Sequence, residues 1–230
     1  MDSCETAPLV LYTARAPNGV KISIHLEELK AVYGGPQYDA VDLNLRNKTK
    51  KEPWFIEINP NGRIPALTDR SRGGLNIFES GTITLYLAQH YDKEHWFSFD
   101  PVKEPDEYID MVQWTFFANT EVGPFQGQPH WFFILADEDV PYAKNRYLNE
   151  ARHLYSVLDS RLKDRDYLAG SGRGKYTLAD INVFPWVDRH ALVPVDKTPD
   201  EWPNLKAWLE RLRARPALQL GNVVPPEQKK

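Results

Sequence analysis

The sequence predicts an α+β half, ordered β-α-β-α-β-β-α within residues 1–92, followed by an all-helical half. Three observations predict it. Short apolar runs bounded by turn residues alternate with helical periodicity up to residue 91. The charged stretch "DKEHWFSFDPVKEP", residues 92–105, holds two prolines and changes the texture, so 93–105 reads as a linker. From residue 106 onward the recurring pattern is helical, so 106–230 reads as one helical domain.

The elements follow in order. "LVLY" (9–12) is a buried strand, and the Pro-Asn-Gly that follows at 17–19 reads as turn chemistry. Residues 19–33 form a helix with Ile22, Leu26 and Leu29 on one face, stopped by Gly34-Gly35-Pro36. "YDAVDL" (38–43) is a second strand, and the helix between makes a βαβ unit with a parallel pair. "EPWFIEIN" (52–59) is a short helix. "ALTD" (66–69) and "LNIFE" (75–79) flank "RSRGG" as a hairpin. Residues 80–91 form a helix with Ile83, Leu87 and Tyr91 inward. In the second half Tyr147, Ala151, Leu154, Leu158 and Leu162 recur at helical spacing, as do Leu205, Trp208, Leu209 and Leu212. "EVGPFQGQPHW" (121–131) carries two Gly and two Pro and reads as a break between helices. In "YTLADI" (176–181), Thr177 and Asp180 have the spacing of a capping box, with Tyr176 and Ile181 placed for a hydrophobic staple.

Composition excludes several classes. The chain has 230 residues, and 28 Lys+Arg against 32 Asp+Glu give a net charge of −4, which argues against a nucleic-acid surface. The basic run "RNKTKK" (46–51) reads as a solvated loop. The longest apolar run, "WFFILA" (131–136), is far below the roughly 20 residues of a membrane span. The first residues carry two acids and no apolar stretch, so no leader is expected, and a single Cys4 excludes an internal disulfide. These features point to a reducing cytoplasm. The six histidines, His25, His90, His95, His130, His153 and His190, include no i,i+4 pair, so no metal site is expected. Aromatics make up 12 % of the residues, as core or as an apolar pocket.

The β-α-β-α-β-β-α half with a helical half behind it is the thioredoxin-like plan with a C-terminal helical domain. Four stretches, "LYTARAPNGVK", "NPNGRIPAL", "FESGTI" and "YTLADI", make the chain resemble the cytosolic glutathione S-transferases. "APNGVK" with "ESGTI" is similar to the branch that includes the yeast nitrogen-catabolite regulator, where asparagine sits near the glutathione sulfur in place of Tyr, Ser or Cys. Cys4 lies before the first strand, not at the helix start, which departs from the cysteine-type classes.

The resemblance implies a set of site residues. A helix N-terminus carries unsatisfied N–H groups and a partial positive charge, so it favours a thiolate and lowers thiol pKa. Asn18 adds a side-chain donor toward the sulfur; an amide cannot serve as a base, so its role is electrostatic. Turn chemistry with Gly19 is the alternative, and Thr13 and Tyr12 offer alternative hydroxyl donors. Ile64, before a cis Pro65 in "RIPAL" (63–67, with Arg63), pairs its backbone with the cysteinyl unit. Ser80, also a natural N-cap, holds the γ-glutamyl carboxylate, and Glu79 lies beside the γ-glutamyl amine. Lys48, Lys50 and Lys51 are candidate cations for the glycyl carboxylate, with Lys50 favoured and Arg15 a further candidate. Trp114, Phe117, Phe125 and Trp131 are candidates for an apolar second-substrate wall. The implied function is glutathione transfer to hydrophobic electrophiles, or disulfide reduction or peroxidase chemistry, by a homodimer with glutathione as co-substrate. A ligand-binding or regulatory protein is the alternative. Dimer contacts are expected from exposed Trp54 and Phe55 and from a helix at 105–120.

Overall fold

The computed structural model describes residues 7–43, 51–189 and 201–226. Two compact units divide the chain: residues 1–93 with 216–230, and residues 94–215.

In the first unit, β1 (Leu9–Thr13) pairs in parallel with β2 (Tyr38–Asp42) and antiparallel with β3 (Ala66–Asp69). β4 (Leu75–Phe78) closes a four-stranded sheet in the order β2-β1-β3-β4. Leu11 sits opposite both Ala40 and Leu67, and Leu9 and Leu11 are fully buried, as a central strand requires. Gly73 and Gly74 take positive φ at the β3–β4 tip, at 70° and 77°.

α1 (Pro17–Tyr33) is the crossover between the parallel strands. Ile22, Leu26 and Leu29 are buried as expected, but so are Lys21, Ser23, His25 and Glu28. One-sided burial fails because α1 packs against β1, against α3 (Ser80–Tyr91) and against α9 (Pro216–Asn222). α9 comes close because Gly221 is bare. A Cβ there would lie 2.8 Å from the Ser23 carbonyl carbon, and Ser23 Oγ donates to the Gly221 carbonyl at 2.7 Å. α9 thus packs with the first unit, whereas the sequence assigns 106–230 to one helical domain.

The second unit holds α4 (Pro105–Phe117), α5 (Gly123–His130), α6 (Pro141–Leu162), α7 (Leu178–Asp188) and α8 (Pro203–Arg213). The expected break at 121–131 is corrected: the backbone stays helical from 105 to 135, with π turns at Ala118–Val122 and Trp131–Leu135. Pro124 follows the first π turn directly and Pro129 lies inside α5, so neither proline ends the helical backbone. Gly123 is needed for space, since a Cβ would lie 3.0 Å from Trp186 Nε1 and 3.2 Å from the Ala118 carbonyl. The stretch read as a linker is docked: Phe97 and Phe99 are buried, and Lys175 Nζ donates to the carbonyls of His95 and Ser98 at 2.6 and 2.8 Å. Thr177 and Asp180 form the expected capping box at the start of α7. Among the described residues, no helix is long and apolar enough to cross a membrane.

Candidate active site

The β1–α1 joint builds one wall of the site. Ala16 is extended, and Pro17 opens α1 with the φ a helix needs. The Pro-Asn-Gly stretch is therefore the first helical turn and not a free-standing turn, and Asn18 supplies the first amide donor within the helix. Gly19 lets β1 and α1 close up: a Cβ would meet the Ala14 carbonyl at 2.6 Å and Thr13 Oγ1 closer still.

The loop before β3 builds a second wall. Asn59 caps α2 (Pro53–Ile58) and is buried; its amide donates to the Arg63 carbonyl at 2.7 Å and its oxygen accepts from the Asn61 N–H at 3.0 Å. These bonds hold "NPNGR" in place and present Ile64, whose peptide bond to Pro65 is cis. Among the described residues Ile64 makes no backbone hydrogen bond, although β3 begins two residues later.

The third wall is the start of α3. Glu79 is the N-cap and holds φ at 68°, rare for a residue with a side chain. Ser80 is the first helical residue, which corrects its expected place as the cap. Its hydroxyl accepts from Lys21 Nζ at 3.3 Å. Lys21 is fully buried, and burial pushes its pKa down to about 7 against the raising effect of the Glu79 carboxylate.

These walls meet at one pocket, lined by Asn18, Asn59, Asn61, Arg63, Ile64, Pro65, Glu79 and Ser80. Six of the expected residues therefore converge. Thr13 does not join them: it is buried under Gly19, with its hydroxyl on the Ala14 carbonyl. Arg15 does not either, because its guanidinium donates to the carbonyls of Val223 and Pro225, both at 3.1 Å. Both side chains are engaged within the first unit. Tyr12 packs its ring on Trp54 and Phe55, at 6.0 and 5.8 Å. Lys51 donates to the Asn61 carbonyl at the pocket rim at 3.0 Å. Cys4, Lys48, Lys50 and His190 lie outside the described residues. Among the described residues no His, Cys, Asp and Glu group could hold a metal ion.

In the second unit Trp114 and Phe117 form an edge-on pair at 5.3 Å, with the Arg161 guanidinium over Trp114. Phe125 packs on Tyr147 at 6.2 Å, and Trp131 is exposed. Sequence reasoning missed Asn59 and Lys21. Asn59 had a signal in the Asn-Pro-Asn-Gly turn, since Asn bonds nearby backbone. Lys21 had none, because a lysine between apolar helix positions reads as surface.

Two family models match the chain: glutathione S-transferase, N-terminal domain, over residues 7–89, and glutathione S-transferase, C-terminal domain, over residues 124–216. The chain belongs to the glutathione S-transferase family. It is 38 % identical over 211 residues to the disulfide-bond oxidoreductase YfcG of Escherichia coli K12, covering 90 % of this chain and 91 % of that one. A glutathione transferase homolog from Lodderomyces elongisporus, solved with two GSH per subunit, matches with TM-score 0.86 and 38 % identity over 95 % of this chain and 99 % of that one. The glutathione transferase URE2P8 of Phanerochaete chrysosporium, solved with oxidized glutathione, matches with TM-score 0.86 and 31 % identity over 95 % of each chain. The thioredoxin-like first unit and the helical second unit are thus the family's two domains.

Proposed function

We propose that the pocket binds glutathione and that the protein is a glutathione transferase whose bound thiolate attacks an apolar electrophile or a disulfide. The convergence of Asn18, Ile64, Glu79 and Ser80 from three separate segments carries this reading. Each matches one part of the tripeptide. Ser80 and the start of α3 suit the γ-glutamyl carboxylate, and Glu79 suits the ammonium. The Ile64 peptide groups suit the cysteinyl backbone, and Asn18 at the start of α1 suits the thiolate. Arg63, at the pocket, and the lysines around residue 50 are candidates for the glycyl carboxylate.

With an electrophile R–X, the thiolate sulfur forms the S–C bond and X⁻ leaves with the bonding pair. With a disulfide, the thiolate forms a mixed disulfide and expels one thiolate; a second glutathione thiolate then releases the other and leaves as glutathione disulfide. The named activity of YfcG and the glutathione-bound relatives support the disulfide route. Asn18 and the likeness to URE2P8 support membership of the asparagine-type branch. We assign the apolar part of the second substrate to Trp114, Phe117, Phe125 and Trp131, and we propose a cytoplasmic homodimer.

Steady-state assays with glutathione test the reading, using 1-chloro-2,4-dinitrobenzene as electrophile and 2-hydroxyethyl disulfide as disulfide. Saturable turnover of either supports it. Glutathione binding without turnover makes the protein a binding module, and absence of glutathione binding overturns the reading.

A further inference from the structure

We propose that Lys21 is a positioning residue for the pocket: its buried ammonium donates to Ser80 Oγ, turns the Ser80 hydroxyl proton toward a bound carboxylate, and is retained or gained when that carboxylate arrives. The inference rests on the glutathione reading and deepens it. A lysine that is 0 % exposed is rare, because burying its charge is costly. Here the amine reaches Ser80 Oγ at 3.3 Å, and Ser80 itself lines the pocket. An ammonium only donates, so Ser80 must accept from it and spend its own O–H elsewhere. A neutral amine accepts as well, which frees that O–H to turn inward. The protonation of Lys21 thus biases the direction of the Ser80 hydroxyl proton.

The surroundings leave that choice poised. Glu79, next to Ser80, is the carboxylate that favours the ammonium, while burial opposes it, and Lys21 titrates at about 7. On α1 the next titratable group is His25, one turn further, which faces Asp92 at the other end of α3. α3 carries Tyr86, His90 and Tyr91 only in its last two turns, β1 carries Tyr12, and α9 carries no titratable side chain. Arg63 is the remaining charged group of the pocket lining. A carboxylate docked on Ser80 brings a second negative charge close to Lys21 and raises its pKa. Binding should therefore take up a proton.

S-methylglutathione is the probe, because it has no thiol to ionise. It is titrated calorimetrically into the full-length protein at pH 7.5 in buffers of different protonation enthalpy. The expected result is uptake of about 0.6 proton per site, with affinity weakening about tenfold from pH 7 to pH 9. At a pH where free S-methylglutathione keeps its ammonium fully protonated, Lys21→Met should bind more weakly and take up no proton. Lys21→Arg, permanently charged, should also take up none there, and its affinity should fall from pH 7 to pH 9 less than that of wild type, by the loss of the ligand ammonium alone. If neither variant folds, the wild-type proton count decides, read at a pH where free S-methylglutathione, titrated in the same buffers, keeps its ammonium fully protonated: uptake there supports the proposal. Wild-type binding without proton uptake, or a folded Lys21→Met protein that takes up as much as wild type, overturns it while leaving the glutathione reading intact. No saturable binding of S-methylglutathione overturns both.

Discussion

Gly19 shows how the site is held at the scale of one residue. It lies inside α1, so space, not a left-handed backbone, demands glycine there. Gly19→Ala forces a Cβ to within 2.6 Å of the Ala14 carbonyl oxygen. We expect a loss of about 1–3 kcal/mol from overpacking, read as a lower melting temperature. Unchanged stability would mean that the β1–α1 joint gives way freely. Lys21 makes a second prediction. Its folded pKa lies below the unfolded value of 10.5, so the stability tied to its neutral form is present above 10.5 and is lost as pH falls through about 7. The urea midpoint of wild type should rise from pH 7 to 9.5, and Lys21→Met should flatten that rise; equal slopes would refute it. The convergence of Asn18, Glu79 and Ser80 on one pocket was legible because each stands in a short motif at the start of a helix. Lys21 was not, because its amine is held by Ser80 of α3, 59 residues further along the chain.

At the scale of elements, proline explains what the sequence reading found and what it missed. Pro17, Pro53, Pro105, Pro141 and Pro203 each stand in the first turn of a helix, where the absent N–H is not needed. The reading took Pro17 for part of a turn and Pro124 for part of a break; local propensity marks a proline as a boundary without saying on which side the helix lies. The parallel β1–β2 pair and the β3–β4 hairpin were legible because period and turn residues agreed. The start of α7 was legible for the same reason. Asp180 there accepts from the Thr177 and Leu168 amides, both at 3.0 Å, and from Trp208 Nε1 at 2.8 Å. Thr177→Ala removes one half of this box and should cost about 1 kcal/mol in denaturant stability. Glutathione affinity should stay at the wild-type value; a parallel loss of affinity would contradict this purely structural role. Desolvation raises the Asp180 pKa to about 6, so its contribution is full below 3.8 and fades as pH rises through 6. His25, lowered to about 4, contributes in the opposite sense, with stability lost as pH falls from 6.5 through 4. The two slopes offset each other in weak acid.

At the scale of the whole molecule, Phe55 corrects one expectation about assembly. It is fully buried with Leu43 and Ala66, whereas Trp54 is exposed; among the described residues of the first unit, Val32, Leu75, Phe78, Leu220 and Val223 are the other exposed large apolar side chains. The proposed homodimer predicts a light-scattering mass of twice 26.5 kDa at micromolar concentration, and a single-chain mass would refute it. The proposed role of Asn18 and the first turn of α1 is to stabilise a glutathione thiolate. The most direct test is the ultraviolet thiolate absorbance of the glutathione complex against pH, in wild type and in Asn18→Ala. The account predicts a bound thiol pKa clearly below the ordinary value of about 8.5 in wild type. In Asn18→Ala it predicts a partial return toward that value, with a rate loss on the order of tenfold (about 1.4 kcal/mol). An Asn18→Ala protein that loses stability but keeps the wild-type thiolate pKa and rate would contradict the account and leave Asn18 a structural residue of the first turn.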